Sequence, residues 1–135
     1  MPVNPAAVER IVDEFFRASA DGRWDDARAT MSPDATLWQS TAPVARTFDE
    51  ALPGLRRMST VMGRWEYDRV RRLTTTDGCC EQHVVRFVDV PGGPVELDVC
   101  VVIRVDESGL IRSLEEYLDG APFTEALQRR RSARG

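Results

Sequence analysis

The sequence predicts an α+β fold, and three observations carry the prediction. Apolar residues at helical spacing open the chain, at Val8, Ile11, Val12, Phe15 and Phe16. Four alternating segments rich in β-branched residues fill the stretch after Trp65, and short turn sequences separate them. That second half has no strand–helix–strand alternation, so the sheet is mostly antiparallel rather than built from parallel βαβ units.

The elements follow in order. The first helix spans residues 6–20 and stops at Asp21-Gly22. Residues 24–31 read as a short second helix ended by Ser32-Pro33, because a residue before proline is driven out of the helical region. Residues 35–40 read as a short strand, and the stretch through Pro43 as a loop. Thr47 stands three residues before Glu50, a capping-box spacing that starts a third helix. Phe48, Leu52, Leu55, Met58 and Met62 form its apolar stripe, Pro53 disturbs its first turns, and Gly63 closes it. Strands are expected over 65–76, 79–90, 95–105 and 110–118. The turns between them are Asp77-Gly78, Pro91-Gly92-Gly93-Pro94 and Asp106-Glu107-Ser108-Gly109. Residues 122–130 read as a terminal helix, and 129–135 as a frayed basic tail. The 135 residues are expected to form one domain.

Composition removes several chemistries. All 18 basic residues are arginine and there is one histidine, His83. Schiff-base lysine chemistry and a phosphate-binding loop lysine are therefore excluded. A Cys2His2 site is excluded too, and any imidazole chemistry must run through His83. A net charge of −4 argues against nucleic acid as a partner. The basic cluster Arg129, Arg130, Arg131 and Arg134 reads as solvated tail. No apolar run approaches the ~20 residues of a membrane span. No signal peptide is visible, and Cys79, Cys80 and Cys100 are expected to be reduced, inert thiols, Cys100 a buried one, in a cytoplasmic protein.

A long twisted sheet with helices on one face encloses a space suited to an apolar small molecule. On the strand over 79–90, Glu81, His83, Val85 and Phe87 share a face that mixes polar and apolar residues, as a pocket wall does. On the last strand Glu116 alternates with Leu114 and Leu118, which predicts an inward carboxylate, while Glu115 faces solvent. Phe16, Trp38, Trp65 and Tyr67 are large aromatics on the elements around that space. Glu81, His83 and Glu116 have no metal-ligand spacing, and neither metal nor cofactor is expected.

Three strings carry a family resemblance. They are the run from Phe15-Phe16 to Arg23-Trp24-Asp25, the run Met31-Ser32-Pro33-Asp34-Ala35-Thr36-Leu37-Trp38-Gln39, and the run from Asp106 to Asp119. Together with the element order, they resemble the NTF2-like superfamily, especially its SnoaL-like and limonene-epoxide-hydrolase-like branches. The resemblance implies a cone of curved sheet and helices around an apolar pocket, a hydrophobic small-molecule ligand, no cofactor and a homodimer.

Position by position, the resemblance tests each chemistry of the superfamily. Ketosteroid-isomerase-like chemistry implies acid–base groups where this chain has Phe15, Gln39 and Val101, and none of these can transfer a proton. Epoxide-hydrolase-like chemistry implies Glu116 as the water activator, with Trp38-Gln39-Ser40 in place of a Tyr-x-Asn unit. Its Arg-x-Asp unit matches Glu81-Gln82-His83 or, with the gap placed differently, Gln82-His83-Val84; the first keeps Val84-Val85-Arg86 in step. Polyketide-cyclase-like chemistry implies a carboxylate and a histidine moving a proton beside carbonyls. The expected catalytic residues are thus His83 and Glu116, with Trp38, Ser40, Glu81, Phe16 and Trp65 contacting substrate. The alternative is a non-catalytic small-molecule-binding or dimeric protein of the same fold.

Overall fold

The computed structural model describes residues 3–134; Met1, Pro2 and Gly135, the end of the expected tail, lie outside it. Helix α1 covers Pro5–Ala20. Asn4 caps it by accepting from the Ala7 N–H at 2.8 Å, and Pro5 takes the first position, where its missing donor costs nothing. Val8, Val12, Phe15 and Phe16 form its buried stripe. Helix α2, Trp24–Ala29, is shorter than expected.

Strand β1 covers Met31–Gln39 and takes in the Ser32-Pro33 pair expected to end the second helix. Its pairing with β6 is interrupted between Met31 and Thr36, and Pro33, which has no N–H to give, falls in that gap. Strand β2, Ala42–Arg46, occupies the expected loop. It is an edge strand, where Pro43 can be tolerated. Helix α3, Phe48–Met62, has the full capping box between Thr47 and Glu50, and it continues through Pro53.

Strands β3 (Trp65–Thr74), β4 (Gly78–Phe87), β5 (Val95–Val105) and β6 (Ile111–Leu118) complete the sheet. Helix α4 runs over Ala121–Arg134, longer than the expected 122–130. Arg130 anchors it by donating to the Val61 carbonyl at 2.7 Å and the Asp89 carbonyl at 2.8 Å. The first of these carbonyls belongs to the last turn of α3, which needs such a partner.

The six strands form one sheet in the order β2-β1-β6-β5-β4-β3. Strands β1 and β6 run parallel and every other neighbouring pair is antiparallel. This is the α+β, NTF2-like cone: helices on one face, with Phe87, Met62, Ile103 and Ile111 fully buried between the layers. On β5, Leu97, Val99, Val101 and Ile103 point inward. Cys100, expected to be buried, therefore points to the outer face, half-buried, with its sulfur 3.7 Å from that of Cys80.

One irregularity sets the site. Asp68 pairs with Val84 and Arg71 with Gln82, so Arg69 and Val70 together oppose the single residue His83. This is a β-bulge, and Arg69 adopts the left-handed φ of 49° that it requires. The Asp68 carboxylate accepts from the Arg69 N–H at 2.9 Å and holds the kink.

Candidate active site

The inner face carries a straight cross-strand row, Gln39–Glu116–Val101–Glu81–Arg72. The adjacent row is Leu118–Val99–His83. His83 is buried, and its Nδ1 lies 2.6 Å from Glu81 Oε2. An ionised carboxylate only accepts, so the Nδ1 proton is assigned from this bond and the neutral ring presents a bare Nε2. Among the described residues Nε2 has no hydrogen-bond partner. The rings of Phe16 and Tyr67 stand edge-on to the imidazole, with centroids 5.1 and 4.9 Å away.

Behind His83 lies a charged cluster. Glu81 is 1 % exposed, and its Oε1 accepts from Arg72 Nε at 2.7 Å and Nη2 at 2.6 Å. The same guanidinium reaches Glu9 Oε2 at 2.5 Å and Asp13 Oδ1 at 2.9 Å, both on α1. Burial works against the Arg72 charge, but the bond and field of Glu81, with Asp13 and Glu9, more than reverse it and hold the guanidinium firmly protonated. The Thr74 hydroxyl also donates to Glu9 and, with Arg72, keeps that carboxyl below its usual range.

Glu116 is the second acid–base group. Burial raises its pKa above the usual carboxylate value; the hydrogen bond from Gln39 Nε2 at 2.9 Å and, when the ring is protonated, the field of His83 only partly offset this. Burial likewise pushes up the Tyr67 phenol; the Trp65 indole opposes the shift, and the Glu116 and Glu81 carboxylates add to it. A carboxyl raised in the folded state contributes stability that is complete below the unfolded value and is lost as pH rises through the folded one. Glu116→Gln is therefore expected to raise the urea midpoint over wild type at neutral pH and above. The gain should close toward about pH 4; an equal gain at both ends would contradict a raised Glu116.

The expected site residues divide between two faces. His83, Glu116, Glu81, Phe16 and Trp65 share the inner face, where Trp65 packs on Trp24 and Phe87 with centroids 6.2 and 6.1 Å away. Trp38 does not: it pairs with Glu115 and stacks on Tyr117 at 5.2 Å, on the outer face. The parallel register that points Gln39 inward beside Glu116 turns Trp38 outward, so it cannot contact a ligand held at His83. The Ser40 hydroxyl is bound at the strand end, accepting from the Leu118 N–H at 3.1 Å and donating to its carbonyl at 3.3 Å. His83 and Glu116 lie on β4 and β6 with β5 between them, a backbone separation of ~10 Å at normal strand spacing. Each bonds to its own neighbour, His83 to Glu81 and Glu116 to Gln39.

Two surface clefts are found away from this site. One of about 410 Å³ is lined by Gly22, Arg23, Trp24, Asp25, Asp26 and Arg56, and one of about 480 Å³ lies between α4 and Pro91-Gly92. Cys79 faces inward beside the cluster, but burial pushes its thiol up to about 12, which rules out a resting thiolate nucleophile. Among the described residues no three His, Cys, Asp or Glu side chains are grouped to hold a metal, and no helix is long and apolar enough to cross a membrane.

Arg72 and its partners Glu9 and Asp13 were not foreseen as part of the site. Their one sequence signal was the Glu81-x-His83 spacing, which places a buried carboxylate beside the ring and calls for a cation. Counting β3 in twos from Trp65 and Tyr67 sends Arg72 outward, and only the bulge turns it in.

The fold recurs among solved structures. PrhC from Penicillium brasilianum superposes with a TM-score of 0.78 at 10 % identity, covering 96 % of this chain and 91 % of that one. A phenazine biosynthesis-related protein from Pseudomonas aeruginosa gives 0.73 at 15 %, covering 93 % and 83 %. A candidate polyketide cyclase from Xanthomonas campestris gives 0.73 at 16 %, covering 94 % and 98 %. Among curated proteins none matches the sequence significantly. The family model for the SnoaL-like domain matches residues 12–114, most of the chain, and with the NTF2-like cone already described this protein belongs to the SnoaL-like domain family.

Proposed function

We propose that the protein is a cofactor-independent acid–base enzyme that removes a proton beside a carbonyl of a hydrophobic small molecule. The observation that carries this reading is His83 Nε2, a buried ring nitrogen without a partner on a ring oriented by a carboxylate. That arrangement gives a general base a fixed direction. Nε2 takes the C–H proton, the electron pair moves onto the carbonyl oxygen, and Glu116, whose pKa burial raises, supplies a proton to that oxygen. The ~10 Å between the two strands leaves room for the carbonyl and its α-carbon between base and acid. Leu37 and Leu118, next inward on the strands of Gln39 and Glu116, are half-buried and apolar, as are Leu52, Leu55 and Met58 of α3. They suit an apolar ring system. Because the imidazole is enclosed, ligand entry requires the Phe16 and Tyr67 rings to part.

The test is solvent deuterium incorporation into a panel of apolar cyclic ketones, which exchange slowly in neutral buffer, followed by mass spectrometry. Exchange above the buffer rate, abolished in Glu116→Gln/His83→Gln, is the expected result; exchange at the buffer rate with every compound sinks the reading. The enclosure of His83 favours one alternative, a non-catalytic binder of the same ligand class. It would stand if a ligand co-purifies and no exchange occurs. The outer face, where Tyr117 and Leu73 are exposed beside Trp38 and Val102, supports the expected homodimer. Light scattering at twice the chain mass is the expected result.

A further inference from the structure

We propose that Arg72 is the positioning residue of this site: its fork holds Glu81 ionised and in place, so that Glu81 fixes the proton of His83 on Nδ1 and leaves Nε2 bare. The proposal deepens the acid–base reading, but it concerns a proton position that can be observed without a substrate.

The geometry divides the two oxygens of Glu81 between two neighbours. Oε1 receives two donors from Arg72, at 2.7 and 2.6 Å, and Oε2 meets His83 Nδ1 at 2.6 Å. A guanidinium has donors only, so the Oε1 position must be filled by an acceptor. Arg72 is itself held from the far side by Glu9 and Asp13 of α1. Its plane is thereby set by the helix packed over the sheet, not by Glu81 alone. The cluster sets one guanidinium against three carboxylates, an excess of negative charge next to the ring.

Two substitutions separate positioning from bulk stability. In Glu81→Gln, Arg72 still demands an acceptor at the Oε1 position and takes the amide oxygen. The amide NH2 is then turned toward Nδ1, which must become an acceptor, and the ring proton moves to Nε2. In Arg72→Gln, the buried Glu81 loses its cation and takes up a proton, becoming a donor to Nδ1 with the same consequence. Arg72→Lys restores the charge and is expected to restore the Nδ1–H form.

His83 is the only histidine in the chain, so long-range ¹⁵N–¹H spectra of uniformly labelled protein show one imidazole and report its tautomer directly. Recorded above the ordinary imidazole titration range, wild type and Arg72→Lys should show Nδ1–H, and Glu81→Gln and Arg72→Gln chiefly Nε2–H. Folded Glu81→Gln that keeps Nδ1–H overturns the proposal. Glu81→Gln is isosteric and leaves Arg72 neutralised by Glu9 and Asp13, so it decides the matter even if Arg72→Gln does not fold. Failure of the proton-exchange assay with the predicted tautomers intact would instead count against the catalytic reading alone.

Discussion

Replacing His83 with glutamine is expected to slow deuterium exchange into a bound carbonyl compound by about 10²–10⁴-fold, the usual contribution of a positioned general base. Glutamine is chosen because it isolates the chemistry. Its amide NH2 can still donate to Glu81 Oε2 in place of Nδ1, and its length keeps contact with the Phe16 and Tyr67 rings. What it lacks is a nitrogen that accepts a proton near neutrality. The far-UV circular dichroism and melting temperature should stay close to wild type. An exchange rate within a factor of two of wild type would remove His83 from the reaction and leave Glu116 as the remaining candidate.

The second large effect is on stability. Arg72→Met removes the cation from a carboxylate that is 1 % exposed and that no other cation reaches among the described residues. Breaking a buried pair from one side costs about 3–5 kcal/mol, because the carboxylate left behind must either stay charged away from water or take up a proton. For a chain of this size that lowers the melting temperature by roughly 10–20 °C. Adding Glu81→Leu to Arg72→Met should recover most of the loss, since a well-packed apolar replacement of both partners is often neutral. A scanning-calorimetry shift of less than a few degrees in the single variant would show that Glu9, Asp13 and Arg72 form a surface network and not a buried one.

The helices were legible because each carried two independent signals. For α1 these were the Val8–Phe16 stripe and the Asp21-Gly22 stop; for α3, the Thr47–Glu50 capping box and the Phe48–Met62 stripe. Strand β5 was legible to the residue because β-branched side chains alternate between two turn sequences. Strand β2 was not, since Pro43 in a five-residue exposed run resembles a loop, and only tertiary pairing with β1 makes it a strand. The same reasoning explains the site. The inward placement of His83 and Glu116 could be read by counting in twos along uninterrupted strands. Trp38 and Arg72 could not. The facing of Trp38 depends on a parallel register with β6, seventy-odd positions away, and that of Arg72 on an extra residue in β3. Neither leaves a mark in local composition.

The two open rims of the sheet have a bearing on how this protein behaves at high concentration. A long flat rim strand offers a row of unpaired amides onto which another chain can add without limit, the route to fibrils and precipitates. Here one rim is β2, five residues long and carrying Pro43. The other is β3, kinked midway at Arg69 and carrying the exposed Arg69 and Arg71. Both rims are poor templates for added strands. The proposed pairing through the broad outer face, if it forms, would end in a closed particle and not an open-ended polymer.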